Sequence, residues 1–137
     1  MIKKIAHIGV AVRDIEAAER FYSDVLLLKG GDREVHGELS ASFFPIGDTR
    51  IELLQSATPE GVISKFIEKR GEGVHHIAYE VDDIEKALET LKSKGVQLID
   101  EKPRKGAHNS KVAFVNPRNT YGVLVELVEH QKKKMDE

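Results

Sequence analysis

A chain of 137 residues is long enough to bury its own core as one domain, and 40% hydrophobic beside 32% charged residues is ordinary for a soluble globular protein. A formal net charge of −2 gives no bulk attraction for nucleic acid or an anionic membrane, so neither is expected as a partner. The absence of cysteine excludes disulfides and thiolate zinc sites, and with no signal-peptide h-region and no apolar run of membrane-spanning length a cytoplasmic location is expected.

In chain order, residues 5–12 are apolar and rich in β-branched side chains and read as a strand. Asp14 then stands as an N-cap before Ile15, Ala18, Tyr22 and Val25 at helical spacing. Gly30 or Gly31 suits the left-handed position that ends this helix. Residues 38–46 alternate, Gly47-Asp48 is a tight turn, and residues 50–54 form the second arm of a hairpin. Pro59 suits a first helical turn ahead of Val62, Ile63, Phe66 and Ile67, which predicts a linking helix over 58–71.

Residues 73–85 then repeat the opening. Sliding the sequence by 69 positions, the separation of His7 and His76, superposes Ile8 on Ile77, Val12 on Val81, Asp14 on Asp83, Ile15 on Ile84 and Ala18 on Ala87. Asp83 caps a second helix carrying Ala87, Leu88 and Leu91 and stopping at Gly95. Residues 96–99, 111–116 and 122–129 read as strands, with Pro117 and Gly122 bracketing the last turn, and the polar stretch 130–137 is expected to fray. The order predicts an α+β fold: one domain of two βαβββ modules, 3–56 and 73–129, related by a pseudo-twofold and forming a curved mixed sheet around a metal-binding cleft.

Alternation puts Ile8, Val10 and Val12 under the first helix and His7 on the opposite face; it likewise puts Ile77 and Val81 opposite His76. By the same count His75 faces the helix and is left out of the ligand set, while His36 and His108 match nothing in the other half. Glu52 and Glu126 each interrupt an apolar strand, and an ionised carboxylate taken from water costs several kcal/mol unless paired or bound to a metal. His7 and Glu52 are 45 positions apart and His76 and Glu126 are 50 apart, so each half offers one imidazole and one carboxylate at like places. His7, Glu52, His76 and Glu126 are therefore candidate ligands, a mixed N/O set suited to cobalt, zinc, nickel, manganese or iron(II).

The motifs His7-Ile8-Gly9-Val10-Ala11-Val12, Ile51-Glu52-Leu53-Leu54, Gly73-Val74-His75-His76-Ile77-Ala78, Gly106-Ala107-His108, Val112-Ala113-Phe114-Val115-Asn116-Pro117 and Val123-Leu124-Val125-Glu126-Leu127 carry a resemblance over nearly the whole chain. The chain resembles the vicinal oxygen chelate (glyoxalase, bleomycin resistance, dioxygenase) superfamily and, within it, the methylmalonyl-CoA epimerases. That resemblance implies one divalent metal ion held by His7, His76 and Glu126 with Glu52 in the fourth place, an acyl-CoA substrate and a homodimer. It implies an isomerase that removes and returns the α-proton at C2 of methylmalonyl-CoA through a metal-stabilised enolate. Some members carry a glutamate base at the position of Ser40; Glu38, on the same strand face, is then a candidate catalytic residue together with Glu52 and Glu126. Lys102, Arg104, Lys105 and Lys111 around Gly106 would suit CoA phosphates or form a solvated loop. Two histidines and a glutamate also form the open triad of an iron(II) ring-cleaving dioxygenase, and the fold also serves glyoxalase-type isomerases and non-catalytic small-molecule binders, so these alternatives stay open.

Overall fold

A computed structural model describes residues 1–131 and shows an α+β fold of eight strands and three α-helices. The elements are β1 (Ile2–Ala11), α1 (Ile15–Arg20), β2 (Asp32–His36), β3 (Leu39–Ile46), β4 (Thr49–Ser56), α2 (Val62–Arg70), β5 (Gly73–Val81), α3 (Ile84–Ser93), β6 (Arg104–Gly106), β7 (Ser110–Val115) and β8 (Leu124–His130). Among the described residues no helix is long and apolar enough to cross a membrane. The described chain forms two compact units, residues 7–77 and residues 1–6 with 78–131, so the boundary cuts β1 and β5.

In the unit of residues 7–77 the sheet is mixed: β1 runs parallel to β4, whereas β4 with β3 and β3 with β2 are antiparallel. Its two faces are covered by different helices. On one, Ile15, Ala18 and Tyr22 pack with Val10, Val12, Phe44 and Leu53; on the other, Ile63 and Ile67 of α2 pack on Ala11, Ala41 and Leu54. Asp14 caps α1 as its side chain predicts, Oδ1 accepting from the Ala17 N–H at 3.1 Å.

Three local expectations need correction here. The first helix passes into a π-helical turn over Phe21–Val25, and the left-handed residue that follows is Leu27 (φ 61°), not Gly30 or Gly31. Pro59 lies in a turn ahead of α2, whose cap is Gly61. Glu38 is not a strand residue: it sits in the turn before β3, where its carbonyl accepts from the Ala57 N–H at 2.7 Å.

In the other unit the order is β5-β8-β7-β6, with β8, β7 and β6 antiparallel, and Ile84, Ala87 and Leu88 of α3 pack on Val81, Ala113, Val115 and Leu127. Asp83 caps α3 by accepting from the Lys86 N–H at 3.1 Å, and Gly95 follows the helix with φ 81°. The strand expected over 96–99 reduces to one bridge, Leu98 to Val115. The ladder stops there because the Asp100 carboxylate takes the Phe114 N–H at 2.9 Å, while the Ile99 and Asp100 N–H groups both turn to the Phe114 carbonyl. His130 ends β8 and so is ordered strand; the rest of the expected fraying, at 132–137, lies outside the described residues.

Candidate metal centre

The parallel β1–β4 register sets Gly9 beside Glu52 and His7 beside Arg50, and the antiparallel register sets Phe43 across from Glu52. With period-2 side chains, His7, Gly9, Ala11, Glu52 and Leu54 share the face that α2 covers at one end, opposite α1. His76, late in this unit's part of β5, reaches the same place. His7 Nε2 lies 3.1 Å from His76 Nε2, and Glu52 Oε1 lies 3.4 Å from the first and 3.5 Å from the second. Both histidines are buried, at 8% and 6% exposure, although their ring nitrogens are polar.

Burial alone would raise the Glu52 carboxyl, but its neighbours His76, His7 and Arg50 outweigh it and hold the group below its ordinary value. The carboxylate is therefore ionised at neutral pH. A buried carboxylate flanked by two imidazoles offers three donor atoms to one cation, and the spacing suits one ion. Two donors each about 2.1 Å from a metal lie about 3.0 Å apart at a right angle and about 3.4 Å apart at the tetrahedral angle, a range that holds the two shorter separations, 3.1 and 3.4 Å, and ends just short of the third, 3.5 Å. His7, Glu52 and His76 fit a divalent metal by donor chemistry and by distance.

Glu126 belongs to the other unit. It lies on β8 opposite Phe114 at only 7% exposure, on the face away from α3, since its strand neighbours Val125 and Leu127 pack into the α3 cluster. A repeated feature marks Glu52 and Glu126 as equivalent. Three residues after Glu52, Gln55 accepts from the first N–H of α1 at 2.8 Å; three residues after Glu126, Glu129 accepts from the first N–H of α3, also at 2.8 Å.

Glu38 is not among the groups that converge. Its carboxylate accepts from Ser56 Oγ at 3.3 Å near the start of α2, where Ser56 Oγ in turn accepts from the Ile63 N–H at 3.0 Å. Of the loop cations, Arg104 pairs with Asp100 at 3.2 Å and covers the Phe114 ring, and Lys111 reaches Glu85 at 3.5 Å. His36 contacts Glu34 at 3.0 Å, and His108 occupies a left-handed turn position with φ 55°.

Two residues of this site escaped the sequence. Gly9 is one: a Cβ there would stand 2.3 Å from His76 Cε1 and 2.6 Å from its Nδ1, so the missing side chain is the space the imidazole occupies. A glycine inside a strand was the available signal. Gly9→Ala, whose backbone is unstrained by a positive φ, is expected to push the ring aside and weaken divalent-metal binding about 10- to 100-fold, as changes around a ligand do. Competition against a chromophoric chelator measures it. The other is His75. Alternation turns it away from His76, yet its ring packs edge-on against Phe66 of α2, with centroids 4.9 Å apart, and its Nδ1 lies 2.9 Å from His76 Nδ1.

The chain belongs to the Glyoxalase/Bleomycin resistance protein/Dioxygenase superfamily, which matches it over residues 6–114. Within that class it is similar to mitochondrial methylmalonyl-CoA epimerase of Bos taurus, 38% identical over 90% of this chain and 73% of that one. It is 41% identical to YqjC of Bacillus subtilis, an uncharacterized protein, over 93% of both chains. Among solved structures, a Streptomyces coelicolor methylmalonyl-CoA epimerase variant in complex with 2-nitronate-propionyl-CoA superposes with a TM-score of 0.87 at 30% identity, covering 95% of this chain and 96% of that one.

Proposed function

We propose that this protein is a divalent-metal-dependent epimerase acting at C2 of methylmalonyl-CoA. The observation that carries the reading is the convergence of His7 Nε2, His76 Nε2 and Glu52 Oε1, in a chain similar over most of its length to proteins named for that activity. Glu126 is proposed as the fourth member of the set, on its burial, its equivalence to Glu52 and the family resemblance. When bound, the ion would supply Lewis acidity for the negative charge that develops on the thioester oxygen as the α-proton leaves.

The chain's own groups do the rest. Epimerisation takes the C2 proton to a base on one face and returns a proton to C2 from the other. Glu52, held ionised by its imidazole neighbours, is a poor proton acceptor and serves to fix positive charge. The proton-transfer role then falls to Glu126, a carboxylate set in an apolar strand. The contact of Glu38 with Ser56 ties it to the start of α2 and makes it the weaker candidate.

The test is direct. Supplied with a single C2 epimer of methylmalonyl-CoA and a divalent metal, the purified protein is expected to produce the other epimer until the two are equal, followed by chiral separation. Absence of the second epimer, with oxygen uptake on a catechol or turnover of a glutathione hemithioacetal instead, would replace the reading with a dioxygenase or a glyoxalase.

A further inference from the structure

We infer, resting on the metal-site reading of His7, Glu52 and His76, that His75 is a positioning residue: its Nδ1 accepts the Nδ1 proton of His76 and so presents His76 Nε2 as a bare donor. The two Nδ1 atoms are 2.9 Å apart, which requires one proton between them, carried by one ring and accepted by the other. Two arrangements are possible in principle, and the site chooses between them. If His75 donated, a neutral His76 would carry its own proton on Nε2, the atom that stands 3.1 Å from His7 Nε2 and 3.5 Å from Glu52 Oε1. A protonated Nε2 has no lone pair for a metal. With the proton on His76 Nδ1, Nε2 is an acceptor facing the other two donors, and the pair His75–His76 acts as an outer-sphere partner and its ligand.

The surroundings hold this pair in place. The His75 and His76 rings meet at an interplanar angle of 89°, with centroids 5.2 Å apart, and Phe66 presses edge-on against His75. Gly9 leaves the space behind His76, with the would-be Cβ 2.6 Å from the same Nδ1 that meets His75. His76 is thus located by Gly9, oriented by His75, and His75 is located by Phe66 of α2. That chain of contacts gives α2 a purpose at the site beyond covering apolar surface.

Two variants separate hydrogen bonding from packing. His75→Phe keeps an aromatic ring against Phe66 but removes the acceptor, whereas His75→Gln keeps an acceptor oxygen without the ring. Cobalt(II) affinity, by competition with a chromophoric chelator, is expected to fall about 10- to 100-fold in His75→Phe and to recover most of that loss in His75→Gln. Nitrogen-15 NMR of the metal-free wild type is expected to show His76 protonated on Nδ1, and the signature to change in His75→Phe. Wild-type affinity in His75→Phe, equal losses in both variants, or a metal-free His76 protonated on Nε2 would each overturn the inference. Failure of the wild type to bind cobalt would instead overturn the metal-site reading beneath it. The tautomer measurement needs neither metal nor substrate, so it stands even where a variant does not fold.

Discussion

His76→Ala is expected to abolish tight divalent-metal binding and, with it, epimerisation. Three donor atoms converge within 3.5 Å of one another, and the variant removes one of the two imidazole nitrogens among them. What remains is the His7 imidazole with the Glu52 carboxylate and the proposed Glu126, a set with a single nitrogen donor that holds a divalent ion only weakly against water and buffer. The loss should be visible as metal content near zero after dialysis, in a protein whose circular dichroism is unchanged. Undiminished metal content in a folded His76→Ala protein would remove this residue from the site.

Glu126→Gln is expected to lower turnover about a hundredfold or more, the scale associated with losing a general base. The amide keeps the shape of the side chain and a neutral oxygen but gives up both charge and basicity. Its place on β8 at 7% exposure, between Val125 and Leu127 on the opposite face, means the amide is accommodated without new volume. Some metal is expected to stay bound, so metal content and rate should be measured on one preparation. A Gln variant with near-normal turnover would show that Glu126 is at most a replaceable ligand and would return the base role to Glu52 or Glu38.

What the sequence made legible follows from the range of each signal. Asp14 and Asp83 are local caps with a known partner three residues on, and both bonds are present at 3.1 Å. The convergence of His7, Glu52 and His76 was legible because strand alternation gives the face and the repeat gives the equivalence. The edge strands were not: Asp32–His36 and Arg104–Gly106 are short and charged, as edges that resist unwanted pairing are, and such strands carry no apolar alternation to detect. The π turn over Phe21–Val25 was equally hidden, since a change of hydrogen-bond register leaves the apolar spacing of Tyr22 nearly intact.

His75 and Gly9 were missed for a different reason. Alternation sorts side chains by the direction of their Cβ, whereas an imidazole is long enough for its Nδ1 to reach a sequence neighbour, and the role of Gly9 is defined by a ring from another strand. Neither fact is local. Each depends on how β1, β5 and α2 come together, with Phe66 deciding where the His75 ring rests.

The central claim is tested most directly by proton exchange at C2 of methylmalonyl-CoA in deuterated water, followed by NMR or mass spectrometry. Metal-loaded protein is expected to wash deuterium into C2, to stop when a chelator strips the ion, and to resume when divalent metal is returned. Exchange that persists undiminished after the metal is removed, or none at all from fully loaded protein, would contradict it.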